Sequence, residues 1–321
     1  MQDIIHQAAV YKNNPEKKPW GTRLRNELSK NKYLYVMSIP VILYYLIFHY
    51  LPMSGIVIAF KNYDVAKGLW VSPWVGFKNF TDFFSSIYFL RLLRNTFLIS
   101  FYGIMFTFPA PIILALLFNE LKSLCFKKIV QTVTYLPHFI SMVVICGMIA
   151  DFFSAKGFMT QIIAFFGGAS LNYLGKAEFF RSIYVGSDIW QGVGWGSIIY
   201  LAAISSIDQE LYEAAVIDGA GRFKQLLHIT LPGLIPTITI LLIMRIGLVL
   251  NVGYEKIILL YNNGTMETAD VISSFVYRRG LGGSFQYSFS TAVGLFQSLI
   301  NIILLVSANR FSKKVGETSL F

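Results

Sequence analysis

Apolar stretches close to 20 residues long recur along this chain, and they limit its possible folds more than any other feature. A run of about 20 apolar residues is the length a helix needs to cross the hydrocarbon core of a bilayer. Runs of this kind cover 34–60, 95–118, 130–153, 183–207, 234–251 and 289–308. The fold class they predict is an all-α integral membrane protein with about six transmembrane helices. Composition agrees: 55% of the 321 residues are hydrophobic and 14% charged, where soluble domains carry roughly a quarter charged residues. The formal charge of +10 raises the question of a nucleic-acid partner. The basic residues cluster beside the spans, which points instead to membrane lipid and to no nucleic acid. Cys125 and Cys146 fall at a span edge and inside a span, a spacing that makes neither a disulfide framework nor a metal site. Residues 1–32 are polar and lead into a full-length span, so no cleavable signal peptide is expected.

Three regions follow: an N-terminal arm over 1–32, a transmembrane domain over 33–308 and a C-terminal tail over 309–321. Pro15 and Pro19 discourage a long helix in the arm, which reads as a partly disordered tail with Trp20 and Tyr33 marking the interface. Lysine and arginine are in modest excess in the arm, in 119–128, in the loop near 206–232 and in the tail with Arg310, Lys313 and Lys314. The positive-inside rule then places both termini in the cytoplasm. Pro40 or Pro52 is expected to bend the first span, and Pro109 and Pro111 the second. His138 follows Pro137 inside the third span; it reads either as a functional group or, the favoured alternative, as a buried donor bonded to a neighbouring helix. Gly186, Gly192, Gly194 and Gly196 predict close helix packing in the fourth span. Arg245 lies within the fifth, where a charge is expensive and is expected to face the bundle interior, paired.

Between the fourth and fifth spans, residues 206–232 carry a polar pattern of their own. Ser206 and Gln209 have the spacing of a capping box. Leu211, Ala214, Ala215 and Asp218 recur at helical spacing, giving a face lined with small residues. Gly219 suits the left-handed conformation that ends a helix. A second short helix is predicted from Arg222, with Phe223, Leu226 and Leu227 on one face, and Pro232 either ends it or starts the next. Two short helices at a glycine corner form a rigid knob suited to a groove on a soluble partner. Helix, glycine turn and helix also describe a DNA reader, but a segment pinned between spans is poorly placed to reach a major groove.

Glu213-Ala214-Ala215, Gly219 and Ile229-x-Leu231-Pro232, at this spacing, resemble the EAA loop in permease subunits of binding-protein-dependent ABC importers. Asp218-Gly219-Ala220 and the ending Ile229-Thr230-Leu231-Pro232 are similar to the carbohydrate-uptake branch. The resemblance implies a type I ABC importer permease fold in a bacterial plasma (inner) membrane. It implies a cytoplasmic coupling helix that docks on an ATPase through Glu213, Ala214, Ala215, Asp218, Gly219, Ala220, Phe223, Ile229, Leu231 and Pro232. It also implies a second homologous permease, two ATPase subunits, an extracellular solute-binding protein and a sugar cargo moved by alternating access. Val75-Gly76-Phe77-Lys78-Asn79-Phe80 is similar to a segment on the outer side of sugar permeases; with Trp70 and Trp74 it reads equally well as an interfacial aromatic belt. Ile189-Trp190-Gln191 through Tyr200-Leu201-Ala202, Gly253-Tyr254-Glu255, Phe275-Val276-Tyr277-Arg278 and Ser319-Leu320-Phe321 resemble a sub-branch importing complex oligosaccharides or polysaccharide fragments.

Catalytic chemistry is not expected in this chain. Gly175-Lys176 is followed by Ala177 and lacks the spaced first glycine of a phosphate loop. No His-Glu-x-x-His, zinc-spaced cysteine pair or Gly-x-Ser-x-Gly occurs. The chain is therefore expected to bind no cofactor or metal, with ATP and Mg held by the partner ATPase. Replacing Gly219 by Asp is expected to uncouple ATP hydrolysis from uptake. Sugar sites need planar polar groups and aromatic faces, and Trp190, Gln191, Trp195, Asn251, Tyr254 and Glu255 are the candidates along the path. The alternatives are the same machine with a non-sugar solute, or a stand-alone secondary carrier. A carrier usually shows repeated halves, and no internal repeat is evident.

Overall fold

The computed structural model describes Gly21, residues 30–316, Ser319 and Leu320. Pro15, Pro19, Trp20 and Phe321 lie outside the described residues. The chain divides into two units, Met1–Ile56 and Val57–Phe321. The first holds helix α1 (Lys32–Tyr45) and the π-helical turn Leu46–Tyr50, and the 3-10 stretch Leu51–Phe60 runs across the boundary between the two.

The second unit is helical, and among the described residues it contains no strand, only an isolated bridge between Lys61 and Trp74. Short helices α2 (Gly68–Val71) and α3 (Lys78–Phe84) precede α4 (Phe89–Tyr102) and α5 (Pro109–Glu120). Then come α6 (Leu124–Tyr135), α7 (Met142–Phe152), α8 (Phe158–Phe165) and the long α9 (Ala177–Ser205). Next are α10 (Gln209–Ile217), α11 (Arg222–Gln225) and α12 (Leu231–Gly247). The chain closes with α13 (Tyr254–Leu260), α14 (Met266–Ala269), α15 (Ile272–Gly280) and α16 (Tyr287–Gly316).

Four helices among the described residues are long and apolar enough to cross a membrane: Lys32–Phe60, Phe89–Glu120, Arg222–Gly247 and Tyr287–Lys314. Leu124–Phe139 with Met142–Phe152 qualifies as a fifth if the bent pair counts as one span. The sixth expected span is α9, whose 29 residues reach about 43 Å at 1.5 Å per residue. It is less apolar because it packs among α5, α6, α12 and α14 and buries Ser187 and Ser197 inside the bundle. Its apolar residues are divided between this packed face and an exposed one that carries Trp190, Trp195 and Ile199.

Three π-helical turns stand among the described residues, and each ends two residues before a proline. They are Leu46–Tyr50 before Pro52, Gly103–Thr107 before Pro109, and Leu226–Thr230 before Pro232. Proline has no N–H, and its ring strikes the carbonyl four residues back. A wider turn moves that carbonyl aside while the helix continues. Pro232 thus starts a helical segment without ending the one before it, and Arg222–Gly247 runs as one helix. Pro137 acts differently. The expected continuous third span breaks there by 102°. A 3-10 turn at Leu136–Phe139 ends the first arm, and Ser141 caps the second by accepting from Val144 N–H at 3.4 Å.

Close packing appears at two of the four glycines of the fourth span. A Cβ on Gly194 would strike the Thr134 carbonyl of α6, and one on Gly196 would lie 2.9 Å from the Pro111 ring of α5. Gly186 and Gly192 face open space. Apolar clusters lie along the bundle: Ile145, Ile149, Phe180, Ile183 and Ile257 form one, Phe83, Leu92, Ile272, Phe275 and Val293 another, and Ala115, Tyr200, Ile204 and Leu234 a third. The 75–80 segment is a structural clasp. Asn79 Nδ2 donates to the carbonyls of Ala59 (2.8 Å) and Lys61 (3.1 Å), while Phe60 packs on Trp74, Phe77 and Phe80.

The N-terminal end of α9 is tied by buried charge. The fully buried Asp270 pairs with Arg278 at 2.7 Å and Arg91 at 3.4 Å, and accepts from Ser274 at 2.9 Å. Asn95 donates to the carbonyls of Glu267 and Asp270 and accepts from Arg181 at 2.8 Å. Burial alone would lower the Arg278 pKa, but the hydrogen bond and charge of Asp270, with Tyr261, outweigh it and hold the guanidinium above its ordinary value.

Candidate functional site

At the other end of α9, the polar loop folds as a corner. Its start differs from the capping box expected of Ser206 and Gln209. Ser206 Oγ donates back to the Ala203 carbonyl at 2.7 Å and so belongs to the end of α9. Asp208 caps α10, its carboxylate accepting from Glu210 N–H at 3.0 Å. Gly219 ends α10 at φ +74°. The closing bonds, Ala220 N–H to the Ala215 carbonyl (2.8 Å) and Gly219 N–H to the Val216 carbonyl (3.0 Å), are those of a Schellman turn.

Side-chain bonds fix the corner. Tyr212 OH and the buried Thr230 hydroxyl lie 2.9 Å apart, and Gln225 Nε2 donates to the Ala220 carbonyl at 2.9 Å. Arg222 reaches Glu120 on α5 at 3.4 Å. Glu213, Ala214, Asp218 and Pro232 are exposed, and Ala215, Ala220, Ile229 and Leu231 are half-buried. The corner presents Ile217 and Phe223 to the outside, 86% and 73% exposed. Tyr212 and Gln225 were not singled out from sequence, and Thr230 only as part of the Ile229-Thr230-Leu231-Pro232 ending, because their pairing depends on the corner already being folded.

The helix that leaves this corner ends at a cavity. Arg222–Gly247 is 26 residues, or about 39 Å at 1.5 Å per residue. It gives way at 248–253 to a non-helical segment before α13 begins. Free backbone groups at membrane depth are tolerated only where protein or a cavity satisfies them, and here neighbouring side chains do so. Gln297 Nε2 donates to the Leu250 carbonyl at 2.7 Å, and Asn301 Oδ1 accepts from Leu250 N–H at 3.1 Å. The Ser100 and Ser273 hydroxyls donate to the carbonyls of Val249 and Val252.

The cavity beside this break has a volume of about 470 Å³, within the usual range for ligand pockets. Asn251, Tyr254 and Glu255 line it, as do Asp188, Arg245 and Lys256. Lys256 pairs with Asp188 at 2.5 Å and lies 4.9 Å over the Tyr184 ring. Arg245 lines this cavity but is exposed on this chain, not turned into the bundle interior, and the expected pairing is absent: among the described residues it forms no ion pair. Trp190 lines a separate, mostly apolar cavity with Met148, Ile149 and Phe152. Trp195 stacks on His138, with ring centroids 4.7 Å apart and planes 3° apart; that histidine is exposed and meets the neighbouring helix through its ring face, not as the buried hydrogen-bond donor expected. Gln191 is half-buried on α9 and lines neither cavity. Asp188, a charge inside the fourth span, carried the same signal as Arg245 but was not singled out, and Ser100 is an ordinary polar residue in an apolar run.

Comparison with known proteins gives concordant matches. The profile of the family described as "binding-protein-dependent transport system inner membrane component" matches residues 107–317. Protein LplB of Bacillus subtilis (strain 168) is 45% identical over 295 residues, covering 92% of each chain. The polygalacturonan/rhamnogalacturonan transport system permease protein YteP of the same strain is 44% identical over 306 residues, covering 95% of each. A chain in the crystal structure of a bacterial ABC transporter involved in the import of the acidic polysaccharide alginate superposes with a TM-score of 0.84 at 42% identity. It covers 92% of this chain and 99% of its own length. A chain in the same kind of transporter, in complex with alginate pentasaccharide-bound periplasmic protein, gives 0.85 at 42% identity over 93% of this chain and 100% of its own.

Proposed function

Because the chain belongs to the family of binding-protein-dependent transport system inner membrane components, we propose that it is the permease subunit of an ATP-driven importer for a complex oligosaccharide. The 206–232 corner docks on an ATPase subunit in the cytoplasm, with both termini on that side. A second homologous permease completes the path, a solute-binding protein delivers the sugar from outside, and ATP and Mg act on the ATPase. The cavity beside 248–253 receives the cargo, with Asn251, Tyr254 and Glu255 as polar and aromatic contacts. The similarity to a polygalacturonan/rhamnogalacturonan permease and the presence of a periplasmic protein in the structural match support this assembly.

The observation that carries the reading is continuity. One helix, Arg222–Gly247, has the exposed Phe223 in its first turn and Arg245 at the cavity in its last. A displacement of the corner is therefore delivered to the cavity wall by a rod, and alternating access needs such a link. Motion is forced only if ATP-bound and ATP-free partners contact the corner with different free energy. Replacing Phe223 by Asp removes an exposed anchor without touching the core. ATP-driven uptake of a labelled oligogalacturonate by the reconstituted complex is expected to fall by roughly tenfold or more; unchanged uptake would overturn the docking role. The break between α12 and α13 also suits a stand-alone carrier. Transport by this chain alone, under an ion gradient and without ATP, would favour that second reading.

A further inference from the structure

The cavity holds four ionisable side chains on its wall: Asp188, Arg245, Glu255 and Lys256. Two of them satisfy each other, since Lys256 Nζ is 2.5 Å from Asp188 and 3.4 Å from the Tyr184 carbonyl. Arg245 has no such partner, and neither an ion pair nor a hydrogen bond to it forms among the described residues. A charge kept in a transmembrane helix is costly, and one facing a cavity without a partner marks a ligand pathway.

The space around Arg245 is also built. Its Nη2 lies against Gly103, the first residue of the π-helical turn in the Phe89–Glu120 helix, where a Cβ would stand 3.2 Å away. A Cβ there would press on the guanidinium and move it by a few tenths of an ångström. Glycine at that position lets it extend along the cavity wall.

A guanidinium has five donors in a flat fork and no acceptor. Sugar hydroxyls are served by groups that also accept, such as Asn251 and Glu255 on the same wall. The group that matches a free fork is a planar carboxylate, bound through two parallel hydrogen bonds. We propose that Arg245 binds a carboxylate of the cargo, so that the cavity favours glycans carrying uronate residues over neutral ones. The proposal rests on the reading of this chain as an oligosaccharide permease and adds the chemical class of its cargo.

The test uses the complete importer in proteoliposomes with ATP, and compares uptake of trigalacturonate with uptake of its carboxyl-reduced, neutral counterpart. Because the solute-binding protein is the same throughout, its own preference cancels when variants are compared. Arg245→Gln is expected to lower the ratio of anionic to neutral uptake by about tenfold or more, with neutral uptake nearly preserved. Arg245→Lys, which keeps the charge and loses the fork, is expected to lower the ratio by less, and it serves if the glutamine variant assembles poorly. An unchanged ratio, or an equal loss of both sugars, would overturn the proposal and leave Arg245 a structural residue. If the wild-type importer moves neither trisaccharide, the proposal for this cargo is overturned while the family assignment stands.

Discussion

Gly219 holds φ at +74° with nothing within 4 Å of where a Cβ would stand, so its conformation and not its surroundings requires glycine. A β-branched residue in the left-handed region costs about 1–2 kcal/mol, whereas asparagine visits it readily. Gly219→Asn is therefore expected to keep most ATP-driven uptake, and Gly219→Val to lose it, in proteoliposomes matched for protein. Equal loss in both would show that the missing side chain matters and the backbone angle does not. This residue was legible from sequence because a glycine after a helical pattern has few other uses. Arg245 was legible as a charge out of place, but its lack of a partner was not. The argument that a buried charge must be paired assumes a dry interior, and Arg245 opens on a cavity.

At the level of the element, the breaks in the helices carry the architecture. The 248–253 segment has its Leu250 N–H and carbonyl held by Asn301 and Gln297 of α16. Gln297→Leu leaves a buried carbonyl without a donor, a cost of about 1–3 kcal/mol. The melting temperature of the purified complex in detergent is expected to drop by several degrees, while Ser298→Ala on the exposed side of the same helix leaves it unchanged. Equal melting of the two variants would show that the break does not depend on α16. The spans themselves were plain in the sequence because hydrocarbon thickness sets their length. Their interruptions were half legible. Pro52, Pro109 and Pro232 pointed to disturbance, but a π-helical turn and a 102° break are both answers to a proline, and the choice between them lies in packing. Pro137 breaks its helix because Ser141 stands ready to cap the next one.

For the molecule as a whole, α9 joins two ends with different tasks. One end is tied through Arg181 to Asn95, which bonds the Asp270 carbonyl beside the Asp270–Arg278 pair, and the other leads into the exposed corner. Asp270→Ala removes the buried partner of the half-buried Arg91 and Arg278 and the acceptor of Ser274, and is expected to destabilise the fold by about 1–3 kcal/mol, seen as loss of folded protein on size-exclusion chromatography. Arg91→Ala, which leaves the closer Arg278 pair in place, is expected to be milder; the reverse order would contradict the network as described. The central claim is that the corner couples this chain to an ATPase through the Arg222–Gly247 helix. Its most direct test is affinity purification of the tagged chain from membranes in mild detergent, with the co-purifying proteins identified by mass spectrometry. The account predicts that an ATPase subunit and a second permease come down with the wild-type chain, and that Phe223→Asp loses the ATPase while keeping the permease. A wild-type chain that comes down without an ATPase, or a variant that retains it in full, would contradict the account.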